Sequence, residues 1–373
     1  MNKIRLSNPV RLIAFFLTAI LLTLSFGFTV DGWQIGNNSS QAITPDKNDP
    51  FLNSDGINND NNADVPDNNA AIPAPPPVFY NRITGEECTE EKANMAHLAF
   101  VMNPDLPIYG ISDADIICEF PVENNGTRWC VFVSETENLW KIGSVSPTKG
   151  YISNVIKYFS SVCVSNGTDD RKSYTSSDIT GQHLDLSVGD YQYSEFVANI
   201  YTNRELVEKG LLDLCIDRNK LTPPSLPFDF TAIDSNEIHL QNTATEISIN
   251  QGTSTESKIR YNSETEKYEI HRNHTAVVDK INNKLVDFKN CFILFADSVT
   301  YDNSEYSQMI MDTIGIGQGY YFTNGTYQEI TWSGSVEGTL IFYTAEGQKL
   351  TVNRGESFIS FVKASARNDL IIG

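Results

Sequence analysis

A chain of 373 residues with a formal net charge of −20 has room for two ordinary domains once a terminal apolar segment and a linker are set aside. Its acidity argues against nucleic acid or an anionic bilayer surface as a partner, because both reward clustered Lys and Arg. The cysteines, Cys88, Cys118, Cys130, Cys163, Cys215 and Cys291, contain no C-x-x-C pair and so speak against a structural zinc knuckle.

Lys3, Arg5 and Arg11 precede an uncharged, apolar run from Leu12 to Val30. As a helix at about 1.5 Å per residue it reaches roughly 28 Å, one hydrocarbon core, and its basic flank stays cytoplasmic. Residues 1–30 are read as a signal or membrane anchor, which makes the chain a single-pass protein of the cell membrane with everything after the anchor exported. Cleavage near Ser25-Phe26-Gly27, followed by secretion, is the alternative. No cysteine follows the run closely, so a lipid-anchored form has no support. Residues 31–78 are rich in Asn and Asp and end in Pro73-Ala74-Pro75-Pro76-Pro77. Such a stretch buries too little apolar surface to offset its ordering entropy and reads as a disordered spacer with a stiffer end.

Residues 79–221 mix helix and strand signals. Asp115 to Phe120 and Arg128 to Ser134 read as strands joined across Asn124-Asn125-Gly126, a hairpin turn signal. Cys118 and Cys130 on these strands are placed to face each other, as a disulfide or as two buried thiols. Ser146 suits an N-cap with Pro147 at the first helical position, and Ile152, Val155, Ile156 and Phe159 follow at helical spacing. A second helix is expected from Thr202, where Thr202-Asn203-Arg204-Glu205 has the form of a capping box, with Gly210 as its stop.

Leu221-Thr222-Pro223-Pro224-Ser225-Leu226-Pro227 breaks both patterns and is read as a domain boundary. Residues 228–373 are mostly extended. Glu246 to Asn250 alternates, Cys291 to Ala296 is a short continuous apolar run, and later strands are parted by Asn324-Gly325 and Glu346-Gly347. The fold class expected is α+β, a mixed α/β N-terminal domain followed by a smaller, mainly β C-terminal domain.

Asp113, Asp115, Glu119 and Glu123 form the densest acidic group, with Arg128 just across the turn. Asp115 and Glu119 share a strand face, and Glu119 and Arg128 are placed to meet across the hairpin as an ion pair. As acid and base, two of these carboxylates would need to converge on one cleft in different environments. His271 and His274, three apart on an extended segment, point to opposite faces and make poor joint metal ligands. No signature for nucleophilic catalysis stands out. Gly315-Ile316-Gly317-Gln318-Gly319 lacks the following helix that a phosphate cradle needs, since Tyr320 to Gly325 reads as strand and hairpin, so these are taken as turn glycines. Asn125, Asn166, Asn273 and Asn324 each begin an Asn-x-Thr sequon, and the Asn-Gly members are explained by turns alone.

The order of these signals resembles the YerB-like bacterial envelope lipoproteins, a family of unknown function with an N-terminal mixed domain and a smaller C-terminal domain. The strongest section runs from Gly110-Ile111-Ser112-Asp113-Ala114-Asp115 through Glu119 to Thr127-Arg128, similar to the family's Gly-Leu-Ser-x-Ala-Asp-Ile-Val-Tyr-Glu core ending in Thr-Arg. Also similar are Thr84-Gly85, Ile142-Gly143, Asn199 to Thr202, Gly317 through Asn324-Gly325 to Trp332, and Asn353-Arg354-Gly355 leading into a closing strand. Where the family carries two arginines after its Ile-Gly, this chain has Ser146 and Lys149; where the family has Pro-His-Asn-Leu-Tyr, it has Val197 to Tyr201. Leu106 replaces a further arginine. Cationic or titratable groups suited to an anionic ligand are thus missing together, while Glu119, Glu123, Arg128, Asn199 and Tyr201 remain as ligand-binding candidates.

The resulting expectation is a membrane-tethered, extracytoplasmic binding or scaffold protein of the bacterial cell envelope, more in keeping with a non-enzyme. The alternative is an enzyme acting on a cell-wall polymer through Glu119 and Glu123. A cell-wall component or an envelope protein is the expected partner, with no nucleic acid, no cofactor, no metal, and membrane contact through the anchor only.

Overall fold

The first hairpin is set by two consecutive asparagines. Asn124 and Asn125 both take φ of 57°, the left-handed conformation that a tight hairpin turn requires and that Asn tolerates better than most residues. In this computed structural model, which describes residues 76–168, 182–196, 199–250, 256–302 and 307–373, a short helix α1 (Glu90–Asn94) and strand β1 (Leu98–Met102) precede it. The hairpin then joins β2 (Ile116–Pro121) to β3 (Thr127–Val133). Nearly every residue of β1, β2 and β3 is buried, the sign of strands covered on both faces. The expected anchor and the spacer up to residue 75 lie outside the described residues, as do Val197 and Ala198. Among the described residues no helix is long and apolar enough to cross a membrane.

Chain order continues with β4 (Ile142–Val145), α2 (Gly150–Tyr158), β5 (Val162–Ser165), β6 (Asn199–Thr202) and α3 (Arg204–Asp213). After the Pro-rich crossing come β7 (Glu246–Ile249), β8 (Ser257–Asn262), β9 (Lys267–Arg272), β10 (Asn290–Ala296), β11 (Gly315–Thr323), β12 (Thr326–Gly334), β13 (Ser357–Lys363) and β14 (Leu370–Ile372). One fourteen-stranded sheet runs in the order β12-β11-β10-β13-β2-β3-β1-β4-β6, with short strands at its margins. The segments on either side of Leu221–Pro227 share this sheet: β13 lies between β10 and β2 and is parallel to both. Strand outweighs helix in both segments, so the fold is mainly β, and the mixed character expected of residues 79–221 is confined to short helices on a sheet.

The sheet has a core on each face. On one, β7, β8, β9 and β14 form a second sheet whose Ile247, Ile259, Tyr268 and Ile270 pack with Ile117, Trp129, Val131 and Phe358. On the other, α2 lays Ile152, Val155, Ile156 and Phe159 against Ile116, Phe120 and Phe132. Those α2 positions are the ones its helical spacing nominates. The helix starts later than expected, because Ser146 N–H donates to Val101 O and Thr148 N–H to Gly167 O, extending the sheet edge first.

Three local expectations need correction. Asn203, not Thr202, caps α3, its side chain accepting from Leu206 N–H at 2.9 Å, while Thr202 ends β6 and donates to Tyr191 O. Gly210 sits inside α3 rather than ending it, and it is kept small by Leu184, which a Cβ there would strike. Gly317 and Gly319 are strand residues in β11, where a side chain would meet Trp332 and the carbonyls of Phe295 and Ile293. Their smallness lets β12 and β10 close on β11. Cys118 and Cys130 are direct cross-strand partners, and all six cysteines are free thiols.

Candidate functional site

Register decides where the acidic group goes. Glu119 pairs with Trp129 and Phe120 with Arg128, so Glu119 and Arg128 occupy opposite faces and the ion pair expected across the hairpin does not form. Glu119 is 2 % exposed. Its carboxylate accepts Trp129 Nε1 at 2.9 Å, Ser360 Oγ at 3.3 Å and Arg272 Nη1 at 3.1 Å. Arg272 also reaches Asp105 at 2.6 Å and stands over the Trp129 ring. Arg128 is half-buried and donates to the carbonyl of its neighbour Thr127. Glu123 meets the buried ammonium of Lys149 at 2.8 Å and accepts Met309 N–H. Lys149 is thus already paired.

Asn199 and Tyr201 lie on β6, apart from that group. The Lys141 ammonium sits 4.1 Å from the ring centre of Tyr109 and 4.2 Å from that of Tyr201, and binds Glu195 at 2.7 Å. Burial raises the Tyr201 hydroxyl above its ordinary range. The five sequence candidates are therefore divided among three places and form no single patch.

The strongest section of the sequence resemblance serves a structural end. Asp279, fully buried, accepts the N–H groups of Gly110 at 3.2 Å, Ile111 at 2.8 Å and Ser112 at 2.9 Å, and that of Ile281 at 2.9 Å. Gly110 has φ of 80°, and a Cβ there would press on Lys141 O. A carboxylate from the second segment is thus bound by a nest of amides in the first, which accounts for a glycine and two tightly turned neighbours at this point.

A cleft of about 770 Å³ opens between α1, α3 and the turn after β3. Its floor is apolar, made by Leu98, Val207, Leu211 and Ile216, and its walls carry Lys92, Arg204 and Arg218 among several carboxylates. Lys92 is paired with Glu135, and Arg204 with Glu208 at 2.6 Å. Arg218 differs. Its Nε donates to Ala96 O at 2.7 Å and its Nη2 to Ser134 O at 2.9 Å, and among the described residues no carboxylate lies within ion-pair distance. Burial pushes this guanidinium down to about 10. It remains charged at neutral pH, with Glu208 and Glu91 as the nearest carboxylates acting on it, neither of them in a direct ion pair. Sequence reasoning missed Arg218 because nothing around Asp217-Arg218-Asn219 forms a motif; it opens a single 3-10 turn capped by Asp217, a few residues beyond α3. Among the described residues no group of three His, Cys, Asp or Glu side chains is placed to hold a metal ion.

Two family models match the chain: "Protein of unknown function (DUF3048) N-terminal domain" over residues 83–213 and the corresponding C-terminal domain over residues 246–359. The crystal structure of the YerB protein from Bacillus subtilis is similar at a TM-score of 0.66 and 19% identity, covering 79% of this chain and 99% of that one. At that identity the likeness concerns the fold. No curated protein matches the chain.

Proposed function

The chain belongs to the YerB-like DUF3048 family, with both family domains in order, and from that premise we propose that it is a non-catalytic binding protein of the bacterial cell envelope, tethered through Leu12–Val30. Its ligand enters the cleft between α1 and α3. The observation that carries this reading is Arg218, a cation with no direct ion pair among the described residues, on the wall of a large cleft with an apolar floor. A half-buried guanidinium that makes no direct ion pair favours an anionic group from outside, and a bidentate carboxylate fits its geometry. The floor asks for an apolar side chain beside that carboxylate. Glu91, Glu137 and Asp217 on the rim favour a positive group elsewhere on the same ligand. A short peptide bearing both a free amine and a carboxylate, as the stem peptides of a bacterial wall do, meets all three demands.

The enzymatic alternative gains no support from the geometry. Glu119 and Glu123 are each held by a buried cation, Arg272 and Lys149, so neither is at liberty to act as acid or base in a shared cleft.

The test is co-sedimentation of the full-length protein with isolated wall sacculi at two salt concentrations, beside Arg218→Met, followed by titration with soluble stem peptides. A charge-assisted hydrogen bond contributes about 1.5–3 kcal/mol, so Arg218→Met should weaken binding by roughly 10- to 150-fold. Retention equal to wild type in Arg218→Met, or no retention of the wild type, would overturn the assignment.

A further inference from the structure

A second cavity lies on the other side of the loop that walls the first. Residues 135–137 line the α1/α3 cleft, while Asn138, Leu139 and Trp140 line a pocket of about 230 Å³ completed by Ser112, Asp113 and Asn282. Trp140 is 62% exposed, an unusual setting for the largest apolar side chain. Its exposure is fixed by its neighbours. Leu139 and Lys141 on either side are buried, Leu139 N–H bonds Thr136 O, and Leu139 O accepts Arg204 N–H at 2.7 Å. These bonds hold the backbone so that the indole is presented to solvent at the pocket's edge.

The pocket beside it is built from polar groups of both kinds. Asn138 and Asn282 bring planar amides, Asp113 a carboxylate and Ser112 a hydroxyl. Asn282 Nδ2 donates to Ser112 Oγ at 3.0 Å, and Asp113 faces Lys284 at 3.5 Å. Underneath, the Asp279 carboxylate clamps the amides of Gly110 to Ser112, so the floor is preorganised before any ligand arrives.

We propose that this pocket is a saccharide-binding subsite that takes one pyranose unit of an envelope glycan. A pyranose has one apolar C–H face and a rim of hydroxyls. The first needs a flat aromatic surface and the second needs groups that donate and accept side by side, as amides and carboxylates do. A strongly anionic ligand is disfavoured by Asp113, and a bilayer by the small size and polarity of the pocket. The site is separate from the peptide cleft, and the inference stands without that reading.

The experiment is a fluorescence titration of the full-length protein with two neutral probes, the tetrasaccharides of β-1,4-linked N-acetylglucosamine and of α-1,4-linked glucose. Of the other three tryptophans, Trp129 and Trp332 are buried and Trp33 lies outside the described residues; Trp140→Phe and Trp140→Ala therefore identify the responding ring. A saturable change with at least one probe, lost in Trp140→Ala, largely kept in binding by Trp140→Phe and weakened about tenfold or more by Asn282→Ala, is the expected result. Isothermal calorimetry reads the variants that lack the indole. Saccharide binding that persists unchanged in Arg218→Met distinguishes this site from the peptide cleft. Equal binding by Trp140→Ala and wild type, or no saturable binding of either probe, would overturn the proposal.

Discussion

Replacing Arg272 by methionine tests whether the two sequence segments are held together by charge. In the wild type its guanidinium bonds Glu119 at 3.1 Å, Asp105 at 2.6 Å and Ser257 at 3.3 Å. Methionine keeps most of the stem volume and removes the cation. Asp105 is exposed enough to rehydrate, but Glu119 at 2 % exposure is not. Its carboxylate is left with Trp129 Nε1 and Ser360 Oγ alone. Removing one partner of a buried pair costs about 3–5 kcal/mol, because the other charge stays desolvated and unmatched. A second change, Glu119→Gln, should recover part of this, since a neutral amide still accepts from Trp129 without a buried charge. Equilibrium urea unfolding of wild type, both single variants and the double variant gives the coupling. A loss under about 1 kcal/mol for Arg272→Met, or a double variant equal to the sum of the singles, would refute the argument.

Gly317→Ala should destabilise by about 1–3 kcal/mol in the same assay, because the added methyl meets Trp332 and Phe295 O with no space to yield. His183 is half-buried and burial holds its imidazole below the ordinary histidine value. The unfolded chain therefore takes up the proton first, and stability falls as pH drops from the ordinary value of about 6.5 towards the depressed one. His183→Gln should flatten that limb of the unfolding midpoint between about pH 7 and pH 5; an unchanged slope would contradict the assignment. In a native thiol titration, Cys215 should react fast, and Cys88 slowly because burial raises its thiol. Cys118, Cys130, Cys163 and Cys291, all buried with thiols pushed up, should react only in denaturant.

Local signals in this sequence are good guides where the chain solves its problem locally. The Asn124-Asn125-Gly126 and Asn324-Gly325 turns, the apolar stripe of α2 and the alternation of β7 all follow from backbone preferences within a few residues. Glycines mislead for the opposite reason: Gly210 and Gly317 answer to Leu184 and Trp332, which are distant in sequence. The same holds for the site. Glu119 draws attention as a carboxylate beside Arg128, yet its cation lies 153 residues away at Arg272. Asp279 has no nearby motif, because three of its four amide partners lie 167 to 169 residues earlier. Resemblance to a family marked Gly110 to Arg128 as special without saying why, and the answer is largely architectural.

The position of β13 between β10 and β2 also sets the order of events when the chain is made. Strand β2 waits for a neighbour that is 241 residues downstream, the separation between Glu119 and Ser360. At a synthesis rate of about 5–20 residues per second that delay is roughly 12–50 s. Throughout it, an apolar strand edge stands open to any passing strand. A product truncated before residue 357 should therefore aggregate instead of folding, and the nascent chain has reason to be held by a chaperone. What costs the protein speed also leaves its largest sheet unfinished, and its two sequence segments unjoined, until β13 arrives.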